Sequence, residues 1–128
     1  MRHIFICLAA MLLVACSTTC KVAKNSPINE IQFGNGGGVT GLVTCYTVKA
    51  DGSLWKEDKQ IKTLSRDTLS SIYELVEKLP KENYVHPGNT YSFLRVHIHE
   101  NVYYYTWSWD SLPDKVAVEL FTKLNKQL

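Results

Sequence analysis

The alternation of apolar and polar residues is clearest in segments 91–99 and 102–109. A two-residue turn between them, at Glu100-Asn101, predicts a β-hairpin with Val96 opposite Tyr105. In this register one face of the hairpin is apolar throughout and carries Leu94, Val96, Ile98, Tyr103, Tyr105 and Trp107. The other face has the mixed composition of a sheet surface in contact with water, namely Phe93, Arg95, His97, His99, Val102, Tyr104, Thr106 and Ser108.

Two shorter segments in the first half of the chain also favour strands. Segments 30–33 and 42–49 contain the β-branched and aromatic residues that are common in sheets. The glycine-rich segment 34–41 separates them. It predicts a flexible connection or a bulged start of a strand, because glycine adopts backbone conformations that other residues avoid.

The Asp51-Gly52 pair predicts a second hairpin. Such a pair suits a two-residue turn, since both residues tolerate positive φ. The turn puts Val48 opposite Trp55 on one face and directs Cys45 to the other face. The charged run 56–60 that follows predicts a solvated edge or another turn.

Helical periodicity replaces alternation in segments 65–79 and 113–128. Pro80 ends the first helix, Pro113 suits the first turn of the second, and segment 81–90 between them is predicted as a loop. The apolar stripes are Leu69, Ile72, Val76 and Leu79 in the first helix, and Ala117, Leu120, Phe121, Leu124 and Leu128 in the second. The order β-β-β-α-β-β-α predicts an α+β fold, in which an antiparallel sheet of about five strands has two helices on one face.

Length and charge limit the organisation and the partners. The chain has 128 residues, of which 45% are hydrophobic and 20% are charged. These values suit one globular domain, for which we expect residues 28–128. The formal net charge is only +2, and the basic residues are scattered among acidic ones. We expect no nucleic-acid partner, because such a partner requires a clustered positive surface.

The N-terminus has the order of features that is typical of a signal peptide. Arg2 is followed by the apolar run 4–14, which is too short to span a bilayer comfortably. The run ends in Leu13-Val14-Ala15-Cys16, where small residues precede a cysteine. An ordinary secretory signal with a coincidental cysteine is the alternative interpretation.

This N-terminal segment resembles the lipobox of bacterial lipoproteins. The resemblance implies a signal peptide at 1–15, diacylglyceryl attachment to the Cys16 thiol, and a polar tether at 16–27. Several acyl chains would hold the protein on a membrane more firmly than one chain. Ser17 stands where the enterobacterial sorting rule places Asp in inner-membrane lipoproteins, so the resemblance favours the outer membrane and a location in the bacterial cell envelope.

Processing at Cys16 would leave Cys20 and Cys45 as the remaining cysteines, since Cys7 would leave with the signal peptide. The envelope permits disulfides, so Cys20 and Cys45 could pair. Two free thiols are the alternative, because Cys20 lies in a tether without fixed geometry.

The glycines raise the question of a nucleotide. Residues 36–41 fit the G-x-G-x-x-G spelling of a dinucleotide-binding loop. That loop must open a helix, whose N-terminus holds the pyrophosphate, whereas here a predicted strand follows. Leu42 also stands where a phosphate-binding loop needs Lys. We therefore expect no nucleotide. Another interpretation of these glycines is that their backbone, which carries no side chains, allows a partner to approach closely.

No constellation for catalysis or metal binding is evident. His97 and His99 would point to one face of a strand, but their predicted neighbours Arg95, Tyr104 and Thr106 add no metal ligand. The sequence has no G-x-S-x-G elbow, and its Asp residues occupy turns and helix starts, where backbone capping explains them. We expect no catalytic residue, no metal and no cofactor.

Most of the predicted domain is similar to small uncharacterised envelope lipoproteins of Bacteroidetes. The resemblance rests on the turn segment 87–91 before the second hairpin and on the glycine segment 36–41 before YTVKADG. It implies a fold and an envelope location, and it brings no catalytic residue.

The expected function is a non-enzymatic binding or interaction module for an envelope protein or polymer. Phe93, Tyr104 and Trp109 are the aromatic residues that the predicted register leaves for a binding surface. An envelope hydrolase, a protease inhibitor and a structural envelope component are the alternatives.

Overall fold

The computed structural model describes residues 28–128 as one sheet with two helices. The predicted signal peptide and tether, with Cys16 and Cys20, lie outside the described residues. In chain order the elements are β1 (Ile28–Gly37), β2 (Thr44–Lys49), β3 (Ser53–Lys56), β4 (Lys59–Thr63), α1 (Arg66–Lys78), β5 (Tyr84–His86), β6 (Thr90–Ile98), β7 (Asn101–Trp107) and α2 (Lys115–Asn125).

The predicted α+β class is confirmed, but the sheet is larger than expected and mixed. Its seven strands have the order β4-β3-β2-β1-β6-β7-β5. Neighbouring strands are antiparallel except β5, which runs parallel to β7. The prediction of about five antiparallel strands is therefore wrong in number and in direction.

The two additional strands lie at the edges of the sheet, where the sequence carries little signal. Every residue of β4 is exposed, so the alternation that marks a half-buried strand is absent. The chain turns into β4 at Glu57, which has a φ of 54°. Strand β5 has three residues inside the predicted loop 81–90, and it is defined by its pairing with the distant β7.

Both predicted helices are confirmed, and both begin at a capping side chain. Ser65 Oγ accepts a hydrogen bond from Thr68 N at the start of α1, and Asp114 Oδ1 accepts one from Val116 N at the start of α2. Such caps satisfy backbone N–H groups that have no partner within a helix. Leu128 is the exception to the predicted stripes, since its side chain is exposed.

One face of the sheet, which we name the core face, packs against both helices. A single apolar cluster contains side chains from β1, β2, β3, β6 and β7 together with those of the helices. Its fully buried members include Ile31, Phe33, Val48, Leu54, Ile72, Val76, Leu94, Val96, Leu120 and Leu124. The opposite face, which we name the open face, is not covered by either helix.

The β6–β7 hairpin keeps the predicted faces in a different register. Val96 lies opposite Tyr103 instead of Tyr105, because the chain turns at His99, which has a φ of 54°. The shift amounts to two residues. Side chains alternate with a period of two, so each residue of the hairpin strands remains on its predicted face.

The β2–β3 hairpin differs from its prediction by one residue, and this changes the faces. Val48 lies opposite Leu54, and Trp55 lies opposite Thr47 on the open face. The turn is longer than predicted: Gly52 has a φ of 86° and its N–H donates to Lys49 O. A three-residue turn of this kind, with glycine in the left-handed region, is common in hairpins.

The first glycines belong to β1 and do not form the predicted connection. Gly34 lies opposite Phe93 and Gly36 lies opposite Tyr91 on β6. A Cβ on Gly34 would clash with Thr44 O, and one on Gly36 would lie 2.6 Å from the Tyr91 hydroxyl. These positions are glycine because the neighbouring strand and the aromatic rings occupy the space of a side chain.

Candidate binding surfaces

Aromatic rings on the open face lie against glycine. Tyr91 and Phe93 are successive open-face residues of β6, and their ring centres are 6.5 Å apart. Both rings lie close to β1, where Gly36 and Gly34 present no side chain. The absence of side chains on this part of β1 therefore leaves room for flat rings.

These rings line a cavity of about 380 Å³ on the open face. We name it the open-face groove, and its lining residues are Val43, Pro87, Tyr91, Phe93, Leu94, Arg95, Tyr104 and Thr106. Its size lies within the range of about 300–1,000 Å³ that is typical of small-molecule sites. A mainly apolar wall with one charged group suits a ligand that combines a flat apolar part with one polar end.

Arg95 supplies the charge of the open-face groove. Its guanidinium carbon lies 5.0 Å from the centre of the Tyr104 ring, and Nη1 donates to Gln32 Oε1 at 3.0 Å. Within residues 28–128, no carboxylate lies at ion-pair distance from this guanidinium. Arg95 is thus a partly buried cation without a direct counter-ion in the described part of the chain.

A short polar chain leads from Arg95 to the nearest carboxylate on the same face. Gln32, which accepts from Arg95, donates from Nε2 to Glu30 Oε1 at 3.2 Å. His97 Nε2 lies 3.6 Å from the same carboxylate oxygen. Glu30 is therefore shared between a glutamine and a histidine, and it does not contact the guanidinium directly.

The prediction that His97 and His99 lie on one strand is wrong, because β6 ends at Ile98. His97 is on β6, whereas His99 is in the turn and its carbonyl accepts a hydrogen bond from Asn29 Nδ2 at 2.8 Å. In the described part of the chain, no group of three or more His, Cys, Asp and Glu side chains is placed to hold a metal ion.

Cys45 lies on the open face of β2, opposite Gly34. Burial raises the pKa of its thiol, although the positive charge of Arg95 acts in the opposite direction. Its predicted partner Cys20 lies outside the described residues, so the disulfide stays a prediction.

A second cavity, of about 420 Å³, lies at the end of the sheet where β1 and β7 end and β6 begins. We name it the end cleft. None of its lining residues is charged; they are Asn35, Gly36, Gly37, Leu42, Thr44, Thr90, Tyr91, Ser92, Trp107, Ser108, Trp109 and Leu112.

The structure divides the predicted aromatic surface between these two cavities. Phe93 and Tyr104 line the open-face groove, whereas Trp109 lines the end cleft. Tyr91 lines both cavities but was not among the residues predicted for a binding surface. Its role depends on its position opposite Gly36, and a pairing between distant strands leaves no local signal in the sequence.

Comparison with protein-family models finds no match, and comparison with curated proteins finds no significant similarity. No helix among residues 28–128 is long and apolar enough to span a bilayer.

Proposed function

We propose that the protein is a non-enzymatic binding module of the bacterial cell envelope, and that it holds its partner in the open-face groove. The observation that carries this proposal is Arg95, a cation that has no direct counter-ion among residues 28–128 and lies in a groove lined by aromatic rings. Arginine guanidinium groups form their strongest hydrogen bonds with carboxylates and phosphates.

The partner would present a carboxylate next to an apolar group. The planar guanidinium can donate two parallel hydrogen bonds to a carboxylate, and the nearby Tyr104 and Phe93 rings offer apolar surface. Both features occur in the acidic segments of envelope proteins and in acidic envelope polymers. Either kind of partner would bring the negative charge that the groove lacks.

Binding is favoured over catalysis by the lining of the cavities. Within the part of the chain that the structure describes, neither the open-face groove nor the end cleft is lined by a carboxylate, a histidine or a cysteine. A hydrolase uses such groups as general acid and base, and a serine or threonine nucleophile needs one of them as its activating base.

The membrane anchor is part of the proposal. The N-terminal sequence supports lipid attachment at Cys16 and a tether at 16–27, with Ser17 favouring the outer membrane. We expect Cys16→Ser to abolish lipid labelling and normal processing in cells. Unchanged labelling of this variant would contradict the anchor and would leave the groove proposal intact.

Affinity capture from membrane extract tests the groove directly. Residues 28–128 contain the whole core described above, so the chain from Asn25 onward is the bait. The matched control for Arg95→Met is Lys62→Met, which removes one positive charge from an exposed position of β4. The wild type and Lys62→Met should capture the same partner.

We expect Arg95→Met to weaken that capture about 10-fold to 100-fold, which is the value of a lost charge-assisted hydrogen-bond pair. Equal capture by all three proteins would contradict the role of Arg95. Failure to capture a partner, together with turnover in an activity screen, would favour the hydrolase alternative.

A further inference from the structure

The end cleft has a lining that differs from the open-face groove and that the proposed function does not use. Its most prominent side chain is Trp109, which is 86% exposed. Leu42 and Leu112, which are also exposed, line the same cleft. Folding removes little of the hydration of an aromatic ring at this exposure, so most of the ring surface is available to a ligand.

Hydrogen bonds of the residues on both sides of Trp109 stabilise the turn that carries it. Ser108, a buried residue, donates from Oγ to Asp110 Oδ1. Ser111 donates from Oγ to His86 O at 3.1 Å, and its N–H donates to Ser108 O at 3.2 Å. The backbone at Trp109 is therefore fixed beside the cleft, so little backbone freedom remains to be lost on binding.

A row of neutral polar side chains crosses the end of the sheet within the same cleft. Asn35 on β1 lies opposite Thr44 on β2 and opposite Ser92 on β6. All three line the end cleft. Neighbouring strands are about 4.8 Å apart, so the row offers hydrogen-bonding groups at regular intervals.

The hydrogen-bonding capacity of this row is only partly used. Ser92 Oγ donates to Asn35 Oδ1 at 2.8 Å. The Asn35 amide nitrogen, which has two N–H donors, contacts no acceptor among residues 28–128, and the Thr44 hydroxyl likewise makes no hydrogen bond within the described part of the chain.

We propose that the end cleft binds a neutral sugar residue of a glycan. A pyranose ring has an apolar face of C–H groups, which can lie flat on the Trp109 indole. The hydroxyl groups at the edge of the ring both donate and accept hydrogen bonds. They can therefore pair with the amide and hydroxyl side chains of the row. Among residues 28–128, the cleft has no charged lining residue, so it gives no preference to an anionic sugar.

This inference goes beyond the proposed function and does not depend on Arg95. Trp109 and Arg95 line different cavities. The two proposals can therefore fail separately.

The test is a titration of the purified protein with chitotetraose, cellotetraose and maltotetraose, followed by NMR. We expect at least one of these neutral tetrasaccharides to bind and to shift the indole N–H signal of Trp109. The indole N–H of Trp55 donates to Ser53 Oγ outside the cleft and should stay unchanged.

Variants assign the binding to the cleft. We expect Trp109→Ala to weaken sugar binding about tenfold or more, as for a central aromatic contact residue, and Asn35→Ala to weaken it about fivefold, as for a lost hydrogen-bond partner. Tyr104→Ala is the matched control, because it removes an exposed aromatic ring from the open-face groove. It should change the affinity by less than about twofold, the range of a residue outside the contact.

Trp109 is so exposed that its replacement does not threaten the core, and thermal unfolding of the variant checks this point. Lack of binding by all three sugars at millimolar concentration would overturn the proposal. Sugar binding that Trp109→Ala leaves unchanged would overturn it as well.

Discussion

The open-face groove and the end cleft share strands β6 and β7 but differ in their chemistry. Both include Tyr91 and lie where β6 passes the glycines of β1, and their volumes are similar, about 380 and 420 Å³. The groove has a guanidinium group in its wall, whereas the lining of the cleft is neutral.

Alternation along the strands explains this difference. Ser92 and Phe93 are adjacent in sequence but point to opposite faces of the sheet. The same holds on β1, where Asn35 lies between Gly34 and Gly36. A neutral surface and a charged surface thus lie next to each other and meet at Tyr91. Their lining side chains say more about the ligand than the cavity volumes do.

The largest effect should come from a substitution on the core face, because the packing of this face stabilises the sheet that forms both surfaces. Phe33 is fully buried, and Phe33→Ala should lower the free energy of unfolding by about 3–5 kcal/mol, because a large cavity replaces the ring. Phe93→Ala on the open face should cost about 1–2 kcal/mol, since its ring is only partly buried. Urea denaturation of the two variants measures both values, and equal losses would contradict the assignment of the faces.

The second-largest predicted effect is on the pH dependence of stability, and it should differ between two neighbouring tyrosines of β7. Tyr105 is buried on the core face and its hydroxyl donates to Pro80 O, whereas Tyr104 is partly exposed on the open face. Burial raises the pKa of Tyr105 to about 12. In the unfolded chain a tyrosine ionises near pH 10, as is usual.

Below about pH 10 the stabilising contribution of Tyr105 is fully present, because the residue is neutral in both states. Between about pH 10 and 12 only the unfolded state ionises, so the free energy of unfolding should fall by about 1.4 kcal/mol per pH unit. Tyr105→Phe should lower the free energy of unfolding by about 1 kcal/mol at neutral pH, because the hydrogen bond of the hydroxyl is lost. It should also remove the decrease in the free energy of unfolding that Tyr105 causes above about pH 10. Urea denaturation across this pH range, with Tyr104→Phe as control, measures the difference; identical pH profiles for the wild type and Tyr105→Phe would contradict it.

The smallest predicted effect is a difference in salt dependence between binding in the open-face groove and binding in the end cleft. Raising the salt concentration from about 0.1 M to 1 M shortens the screening length from about 10 Å to 3 Å. Partner capture through Arg95 should weaken several-fold, since it depends on charge, whereas sugar binding in the end cleft should not change. Equal salt dependence at both surfaces would contradict the division between a charged and a neutral site.

The sequence predicted the fold best where its signals are local. Helical periodicity and the flanking residues Pro80 and Pro113 placed α1 and α2, and alternation assigned the residues of β6 and β7 to their faces. Edge strands β4 and β5 were missed, because one is exposed throughout and the other is defined by a parallel pairing with β7. Neither feature produces a pattern within its own segment.

The candidate sites were predicted less well, because they depend on which strands pair. Phe93, Tyr104 and Trp109 were identified as aromatic residues for a binding surface, but their separation into two cavities was not. Asn35 became a site residue only through its positions opposite Thr44 and Ser92.

The sequence by itself therefore determined the helices and the inward or outward direction of side chains along β6 and β7. These features follow from a period of 3.6 or 2 residues, and the two-residue shift of register preserves them. Only the tertiary structure decided the face of Trp55 and the contact of aromatic rings with the glycines of β1. A single extra residue in the turn at Gly52 moves Trp55 to the opposite face, and the ring contacts arise from strands that are distant in sequence.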